Sequence, residues 1–184
     1  IFERYSQPAL VERFIQGREI TVGVVGNLSA PVARRVPNDE EAARVLAGLH
    51  FFPPLEIDLA AYPPEEGGVY TSRMKVEMAH DFHCLCPAPL RLEQVKELNW
   101  LTAATFRVIG CLDMARVDFR LDATANDQPY ILEINPLPGL NAEYSDLCLA
   151  AAADGWSYTQ LVNRILDEAI QRYRLRNGGR PHGS

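Results

Sequence analysis

Two stretches in the later part of the sequence alternate apolar and polar residues, and this alternation constrains the fold more than any other feature. The stretches are residues 113–121 and 129–135, and the segment 122–128 between them is rich in turn-forming residues. Alternation of this kind is typical of β-strands with one buried face. The sequence therefore predicts an antiparallel hairpin with its turn centred between Ala125 and Asn126.

The predicted register of this hairpin brings two carboxylates together. Asp118 lies directly across from Glu133, and Arg116 lies across from Asn135, so these side chains share one face. The opposite face is then wholly apolar, with the pairs Val117–Ile134, Phe119–Leu132 and Leu121–Tyr130. We therefore expect one face of the hairpin to be buried and the other to bear charge.

Like charges directly opposite each other destabilise a sheet, so Asp118 and Glu133 require a shared proton, relief by solvent or a cation between them. Mg²⁺ binds oxygen ligands and retains several waters, so two carboxylates and an amide oxygen beside phosphate groups would suit it. Asp118, Glu133 and Asn135 provide such a set. Because polar outer faces are common in hairpins, the pattern alone supports a solvated face equally well.

The remaining sequence predicts helices that complete an α+β domain. The strongest prediction is a helix over residues 92–109, where apolar residues recur at helical spacing until Gly110. Shorter helices are predicted after the N-cap residue Asn38, near 146–153, and over 158–173 after the N-cap residue Ser157. We expect the helices to pack on one face of an antiparallel sheet.

The earlier part of the chain predicts further strands. Residues 9–15 and 19–26 have strand-like composition, and the glycine-containing segment 16–18 would join them as a paired hairpin. The helix after Asn38 includes Leu49 in its apolar pattern and is expected to stop before Pro53. The other expectations are a helix end at 1–5, a strand at 55–59, a loop at 62–68, extended structure within 69–86 and a disordered tail at 177–184.

The composition indicates a folded, soluble protein of the cytoplasm. Of its 184 residues, 47% are hydrophobic and 23% are charged, so we expect residues 1–176 to form one domain. The net charge of −6 is spread over mixed residues, which argues against nucleic acid as a partner, and no apolar run is long enough for a membrane span. Four scattered cysteines suit reduced thiols, and the group His80, His83, Cys84 and Cys86 fits no common zinc spacing.

The hairpin and the residues after it resemble a known family. The first strand carries Asp118 and Leu121, and the second continues as Leu132-Glu133-x-Asn135-Pro136-x-Pro138-Gly139. Together with the segment 10–22, these residues resemble the D-alanine:D-alanine ligase branch of the ATP-grasp enzymes over most of the chain, up to about Tyr173. The resemblance implies the carboxy-terminal lobe of the ATP-grasp fold, which is an α+β arrangement of an antiparallel sheet with packed helices.

Enzymes of this family use ATP to activate a carboxylate as an acyl phosphate, which an amine then attacks. The resemblance therefore implies a carboxylate:amine ligase that depends on ATP and Mg²⁺ (or Mn²⁺) and acts on amino acids or peptides. In such a site, positioning and charge neutralisation account for most of the catalysis. If the resemblance is set aside, a plain α+β domain with a polar hairpin face is an alternative interpretation.

The resemblance also assigns roles to individual residues. Asp118, Glu133 and Asn135 would bind Mg²⁺, while Arg116 would stabilise the charge that develops at the reacting centre. The remaining assignments are Glu12, Phe14 and Ile15 to adenine, Glu19 to the ribose hydroxyls, Lys75 to a phosphate, and Gly139 and Asn141 to the substrate. Without the resemblance, Glu12, Glu19 and Lys75 would be interpreted as surface charges.

The sequence departs from the family pattern in two places. Ser72 and Arg73 stand before Lys75, where the family has acidic and aromatic residues. Residues 141–145 stand where a serine-bearing segment of the family holds the carboxylate of the acceptor amino acid. The resemblance therefore does not imply D-alanine as the acceptor.

The family's amino-terminal domain and its central lobe, with phosphate-binding lysines and a glycine-rich flap, would lie upstream of Ile1. We therefore expect a partial ligase that does not turn over alone and whose partner is the missing amino-terminal part. An apolar surface near Phe14 and Ile15 would also favour a homo-oligomer. The alternative from another class is a non-catalytic nucleotide-binding or interaction module derived from the same lobe, although the complete metal-binding set favours the ligase.

Overall fold

The computed structural model describes residues 2–29, 32, 38–61 and 83–177. Its helices are α1 (Phe2–Tyr5), α2 (Asp39–Leu46), α3 (Leu92–Ile109), α4 (Asp146–Ala153) and α5 (Tyr158–Asn177). Its strands are β1 (Gly17–Gly26), β2 (Leu49–Phe51), β3 (Leu55–Ile57), β4 (Cys84–Leu85), β5 (Met114–Asp122) and β6 (Gln128–Asn135). The expectations for Lys75, His80, residues 62–68, most of 69–86 and the tail after 177 lie outside the described residues.

The described strands form an antiparallel sheet in the order β4-β3-β1-β5-β6, and β2 also pairs with β1. β1 lies at the centre and pairs with β5 along almost its whole length, from Gly17 opposite Asp122 to Val25 opposite Met114. The predicted α+β fold with an antiparallel sheet is therefore confirmed. Within the described part of the chain, no helix is both long enough and apolar enough to cross a membrane.

Helices cover both faces of this sheet, so the prediction of helices on one face is wrong. On one face, Val117 and Phe119 of β5 pack in a core cluster with α3. On the other face, Val25 of β1 packs with Leu147 of α4. Gly23 allows α4 to come close, because a Cβ at that position would lie 2.6 Å from Cδ1 of Leu147. The central strands are therefore buried on both sides, which the alternation in β5 alone did not reveal.

The helix starts and ends follow the capping residues in the sequence. α3 occupies the predicted residues and ends at Gly110, whose φ of 77° lies in the left-handed region that favours glycine. At the start of α2, the side chain of Asn38 accepts a hydrogen bond from the backbone N–H of Glu41 at 3.0 Å. Before α5, Oγ of Ser157 accepts a hydrogen bond from the backbone N–H of Gln160 at 3.2 Å. These predicted helix starts are confirmed.

The predicted hairpin between residues 9–15 and 19–26 is wrong. Residues 9–15 form no strand, and β1 begins at Gly17 and pairs with β5 and β3 instead. Gly17 serves a close approach rather than a turn, because its φ is 155° and a Cβ there would overlap the carbonyl oxygen of Leu121. The glycine between the two apolar runs therefore allows β1 to lie close to β5 and does not form a hairpin turn.

The helix after Asn38 is shorter than predicted. α2 ends at Leu46, and Leu49 begins β2, where it pairs with Gly26. The side chain of Leu49 packs against the cluster that includes Phe106 of α3. Pairing with β1 thus overrides the helical spacing of the apolar residues. The predicted strand at 55–59 is also shorter, because β3 ends at Ile57.

The predicted β5–β6 hairpin is present, and its register agrees with the prediction near the start of β5. Asp118 lies opposite Glu133, and Arg116 lies opposite Asn135. Val117 is also opposite Ile134, as predicted. The two carboxylates therefore meet on one face, as the alternation indicates.

A β-bulge after Asp118 shifts the rest of the hairpin by one residue. Phe119 lies opposite Ile131 and Leu121 lies opposite Pro129, so the predicted pairs Phe119–Leu132 and Leu121–Tyr130 are wrong. The turn between the strands has positive φ at two consecutive residues, Asn126 and Asp127, and the pairing centres it on Ala125 rather than between Ala125 and Asn126. The bulge at Leu132 absorbs this difference.

Candidate functional site

Polar side chains from neighbouring strands meet on the face of the sheet that α4 covers. β1 and β5 place Thr21 opposite Asp118, so their side chains point to the same face. The loop after β6 leads to the start of α4 beside them. A cavity of about 260 Å³ lies between these elements and is lined by Glu19, Thr21, Ile57, Arg116, Asp118, Gly139, Tyr144, Ser145 and Asp146.

Asp118 is the buried carboxylate at the floor of this cavity. Its Oδ1 accepts hydrogen bonds from Oγ1 of Thr21 at 2.8 Å and from Nε of Arg116 at 2.9 Å. Its Oδ2 accepts a hydrogen bond from Nη2 of Arg116 at 2.8 Å and a longer one from Nδ2 of Asn135 at 3.4 Å. Burial raises the pKa of Asp118 above its usual value and Glu133 adds to the rise, whereas Arg116 and Thr21 oppose it.

Arg116 lies between three carboxylates. Its Nη1 is 2.9 Å from Oδ2 of Asp146, and its Nη2 is 3.8 Å from Oε1 of Glu133, in addition to the bidentate contact with Asp118. Burial alone would lower the pKa of Arg116. The hydrogen bond and charge of Asp118 and the charges of Asp146 and Glu133 outweigh burial, so the pKa of Arg116 is raised. The cation between Asp118 and Glu133 in this structure is thus a guanidinium.

The cluster nevertheless has a surplus of negative charge, since three carboxylates surround one guanidinium. The charges of the three carboxylates raise the pKa of Arg116, whereas the raised pKa of Asp118 is due mainly to burial, with a smaller contribution from Glu133. An additional cation would relieve the surplus of negative charge. The side chain of Glu133 is 57% exposed, so a metal ion could approach the pair from the solvent side.

The oxygen donors present fit Mg²⁺ in chemistry, because Asp118 and Glu133 face each other and the amide of Asn135 lies beside both. Nδ2 of Asn135 donates to Oε1 of Glu133 at 3.0 Å, so its amide would have to turn to present oxygen to a metal. Among the described residues, no group of three or more His, Cys, Asp or Glu side chains is placed to hold a metal ion. Two carboxylates and an amide would therefore need water or phosphate oxygens to complete the coordination of Mg²⁺.

Glu19 lies at the edge of the cavity beside a second cation. Nη2 of Arg120 is 3.2 Å from Oε2 of Glu19, and Nη1 of Arg120 donates to the carbonyl oxygen of Gly17 at 2.8 Å. The guanidinium of Arg120 also lies over the ring of Phe14, 5.5 Å from its centroid. Two of the residues that the resemblance assigns to the nucleotide, Glu19 and Phe14, are therefore linked through Arg120.

The other residues assigned to the nucleotide are less closely associated with the cavity. Glu12 is exposed, and Ile15 is buried. The expected apolar surface is present in the segment before Ile15, where Leu10, Val11 and Phe14 are all exposed. Lys75 lies outside the described residues. The nucleotide roles of these residues stay predictions.

The loop between β6 and α4 is organised by its own hydrogen bonds. The backbone N–H of Asn141 donates to Oγ of Ser145 at 2.9 Å, and Oδ1 of Asn141 accepts from the backbone N–H of Glu143 at 2.8 Å. Gly139 lines the cavity, and a Cβ there would lie 2.8 Å from Oγ of Ser145. Of the two residues assigned to the substrate, Gly139 therefore faces the cavity, whereas the side chain of Asn141 supports the loop.

Two residues of this site were not identified from the sequence. Thr21 reaches Asp118 only because β1 pairs with β5, and 97 positions separate the two residues in the chain. Asp146 was recognised only as the first residue of a helix. The available signal was the acidic residue at the start of α4, which is common at helix N-termini and does not by itself indicate contact with Arg116.

The comparison with known families agrees with this geometry. A family model described as D-ala D-ala ligase C-terminus matches residues 56–167. The chain belongs to the D-alanine–D-alanine ligase family. The match covers α3, the β5–β6 hairpin, α4 and the first part of α5, so it includes Arg116 and the three residues assigned to the metal.

Individual relatives extend the similarity to most of the chain. A D-alanine–D-alanine ligase of Synechococcus is 36% identical over 97% of this chain and 46% of its own length. An uncharacterized protein of Sinorhizobium fredii, y4sG, is 37% identical over 94% of this chain and 44% of its own length. The chain therefore spans less than half the length of these relatives.

Solved ligase structures share the fold. The D-alanine–D-alanine ligase of Bacillus anthracis complexed with ATP covers 92% of this chain with a TM-score of 0.57 and 20% identity, and the chain covers 42% of it. This likeness supports the α+β, ATP-grasp type of fold that the resemblance implied. The fold prediction is thus confirmed both by the sheet and by its structural neighbours.

Proposed function

We propose that this chain contributes the carboxy-terminal part of an ATP and Mg²⁺ site in a carboxylate:amine ligase. The observation that supports this most strongly is the facing pair Asp118 and Glu133, with Asn135 beside it and a surplus of negative charge. Arg116 offsets only part of the repulsion in this cluster, because three carboxylates surround one guanidinium. A divalent cation bound to these side chains would neutralise the remaining negative charge, and phosphate oxygens would complete its coordination.

The residues of the chain would act by binding, orientation and charge. Asp118, Glu133 and Asn135 would hold the metal ion, which when bound neutralises phosphate charge and orients the phosphates. Arg116 lines the cavity with a stable positive charge, so it can stabilise negative charge that develops during phosphoryl and acyl transfer. Glu19 lies at the cavity edge, where its carboxylate can accept hydrogen bonds from two vicinal hydroxyl groups of a ribose.

The proposed substrates are amino acids or peptides, since the Synechococcus relative is a D-alanine–D-alanine ligase and the fold is shared with the ligase of Bacillus anthracis. The bound nucleotide would be ATP, with which the Bacillus anthracis ligase is complexed. Cys84, Cys86, Cys111 and Cys148 are free thiols, and this suits a reducing cytoplasm. By itself the chain covers less than half of its relatives, so we expect binding of nucleotide rather than turnover.

The test measures whether Mg²⁺ and nucleotide bind together. Isothermal titrations of the parent with Mg²⁺, with and without a non-hydrolysable ATP analogue, should show that each ligand strengthens the binding of the other by at least about tenfold. Glu133→Gln should abolish this coupling, because it removes one of the two facing carboxylates. Glu40→Gln is the matched control, since Glu40 is an exposed residue of α2, which packs against α3 on the other face of the sheet.

The apo stability of the same variant separates a functional carboxylate from a structural one. Glu133 is more than half exposed and contributes to the repulsion around Asp118, so Glu133→Gln should leave the free energy of unfolding unchanged or slightly higher. A variant that lost stability and still bound Mg²⁺ and nucleotide as the parent does would show that the hairpin is not the metal site.

A further inference from the structure

The first residue of α4, Asp146, holds Arg116 through a nitrogen that Asp118 does not use. Nη1 of Arg116 is 2.9 Å from Oδ2 of Asp146, whereas Nε and Nη2 contact Asp118. The side chain of Asp146 is 16% exposed, so the contact lies mostly away from solvent. Arg116 is therefore shared between β5 itself and a helix on the opposite side of the cavity.

Both oxygens of Asp118 are already engaged by donors. Oδ1 accepts from Thr21 and Arg116, and Oδ2 accepts from Arg116 and, at a longer distance, from Asn135. Because each carboxylate oxygen offers about two lone pairs, a cation can bind Asp118 only when one donor gives way. Arg116 is the donor that a second cation would repel, since it carries the positive charge. Binding of a metal ion at Asp118 would therefore weaken the contact between Asp118 and Arg116, in addition to displacing the longer hydrogen bond from Asn135.

Asp146 is fixed independently of the hairpin. The residues that follow it in α4, Leu147 and Cys148, are almost fully buried in the core. The loop before α4 is closed by the hydrogen bond from the backbone N–H of Asn141 to Oγ of Ser145. The carboxylate of Asp146 can therefore keep its position while the contacts of Asp118 rearrange.

We propose that Asp146 is a positioning residue that retains Arg116 beside the cavity when Asp118 exchanges the guanidinium for a divalent cation. This inference rests on the proposed function and adds to it the partner of Arg116 in the metal-bound form. With Asp146 present, Arg116 gives up one ion pair and keeps another. With Asp146 neutralised, Arg116 has only a weaker alternative partner. It therefore competes more strongly with the cation for Asp118 and lowers the affinity for the cation.

Two measurements on Asp146→Asn test the proposal. The first is side-chain NMR of Arg116, in which hindered rotation of the guanidinium should be visible in the parent and reduced in Asp146→Asn. The second is the titration of Mg²⁺ with the ATP analogue, which should be weaker by about tenfold in the variant, as expected when one charge-assisted hydrogen bond is lost. Asp146→Glu, which keeps the charge, should recover part of the affinity.

Glu143→Gln is the matched control, because Glu143 is an exposed carboxylate of the same loop and should leave both measurements unchanged. The proposal is overturned if Asp146→Asn lowers the melting temperature but leaves the affinity and the Arg116 signals as in the parent, since Asp146 would then only stabilise the start of α4. If the parent itself bound no Mg²⁺ and nucleotide, the proposed function would fail. In that case, a change in the Arg116 signals of Asp146→Asn would still support Asp146 as the anchor of Arg116, and unchanged signals would refute it.

Discussion

The two ends of the β5–β6 hairpin follow different constraints. At the site end, which comprises residues 116–118 and 133–135, the strands pair in the register that the alternation predicts. At the turn end, which comprises residues 119–132, a bulge shifts the pairing by one residue. The side chain of Phe119 is fully buried at this end, whereas Ile131, which lies opposite it, is 44% exposed.

This difference shows which strand determines the core. β5 pairs with β1 on one side and is packed by helices on both faces, so its residues cannot shift without disturbing the core. Among the described strands, β6 pairs with β5 alone and forms an edge of the sheet. An edge strand can absorb an extra residue such as Leu132 at little cost. At the site end, two longer side-chain contacts also join the strands: Nδ2 of Asn135 donates to Oδ2 of Asp118 at 3.4 Å, and Nη2 of Arg116 lies 3.8 Å from Oε1 of Glu133.

The largest effect is expected from Phe119→Ala, which tests whether β5 determines the core at the turn end. Phe119 is fully buried in the cluster between the sheet and α3, so the variant should lose about 3–5 kcal/mol of unfolding free energy. Urea denaturation with an unchanged m-value would check this. A loss below about 1 kcal/mol would mean that the turn end is loosely packed on β5 as well as on β6.

A smaller, pH-dependent effect is expected at the last residue of β5. The hydroxyl and the backbone N–H of Thr124 donate to Oδ1 of Asp122 at 2.6 and 2.9 Å, and these hydrogen bonds lower the pKa of Asp122. A lowered folded-state pKa gives stability that is complete above the usual value of 3.8 and is lost as the pH falls through the folded-state pKa. The stability difference between the parent and Asp122→Asn should therefore shrink as the pH falls from about 5 to about 2.

Thr124→Ala provides the control for this titration. It removes the hydroxyl donor and leaves the backbone donor in place, so it should reproduce part of the pH dependence of Asp122→Asn. Unfolding free energies measured across the pH series would decide the point. A difference between parent and Asp122→Asn that stayed constant with pH would show that the turn end does not depend on the charge of Asp122.

The smallest effect is expected from Leu132→Ala at the bulge. Leu132 is 50% exposed on the edge strand, so the variant should change the unfolding free energy by no more than about 0.5 kcal/mol. The same urea measurement as for Phe119→Ala gives the comparison directly. A loss comparable to that of Phe119→Ala would show that β6 contributes to the core as strongly as β5 does.

The sequence predicted local features of the fold better than its long-range contacts. α3, α4 and the site end of the hairpin follow from periodicity, capping and alternation, and these signals lie within short segments. The segment 9–15 looked like a strand because Leu10, Val11 and Phe14 are apolar, although all three are exposed. The pairing of β1 with β5 brings together residues far apart in the chain, and no local pattern identifies such a partner.

The same limit applies to the candidate site. The juxtaposition of Asp118 and Glu133 could be predicted because one hairpin creates it. The contacts of Thr21 with Asp118 and of Asp146 with Arg116 depend on the arrangement of β1 and α4 around that hairpin. The sequence consequently identified two facing acids but not the guanidinium that bridges them, although Arg116 was recognised for another role.

The most direct test of the metal site uses Mn²⁺ in place of Mg²⁺ and compares the two ends of the hairpin. A paramagnetic ion broadens the NMR signals of nearby backbone amides, so Mn²⁺ added with the ATP analogue should broaden those of Asp118, Glu133 and Asn135 first. The amides of Ala125 and Asn126 in the turn should remain sharp at the same concentration. Broadening that is equal at both ends, or that needs no nucleotide, would contradict the assignment of Asp118, Glu133 and Asn135 as a metal site completed by ATP.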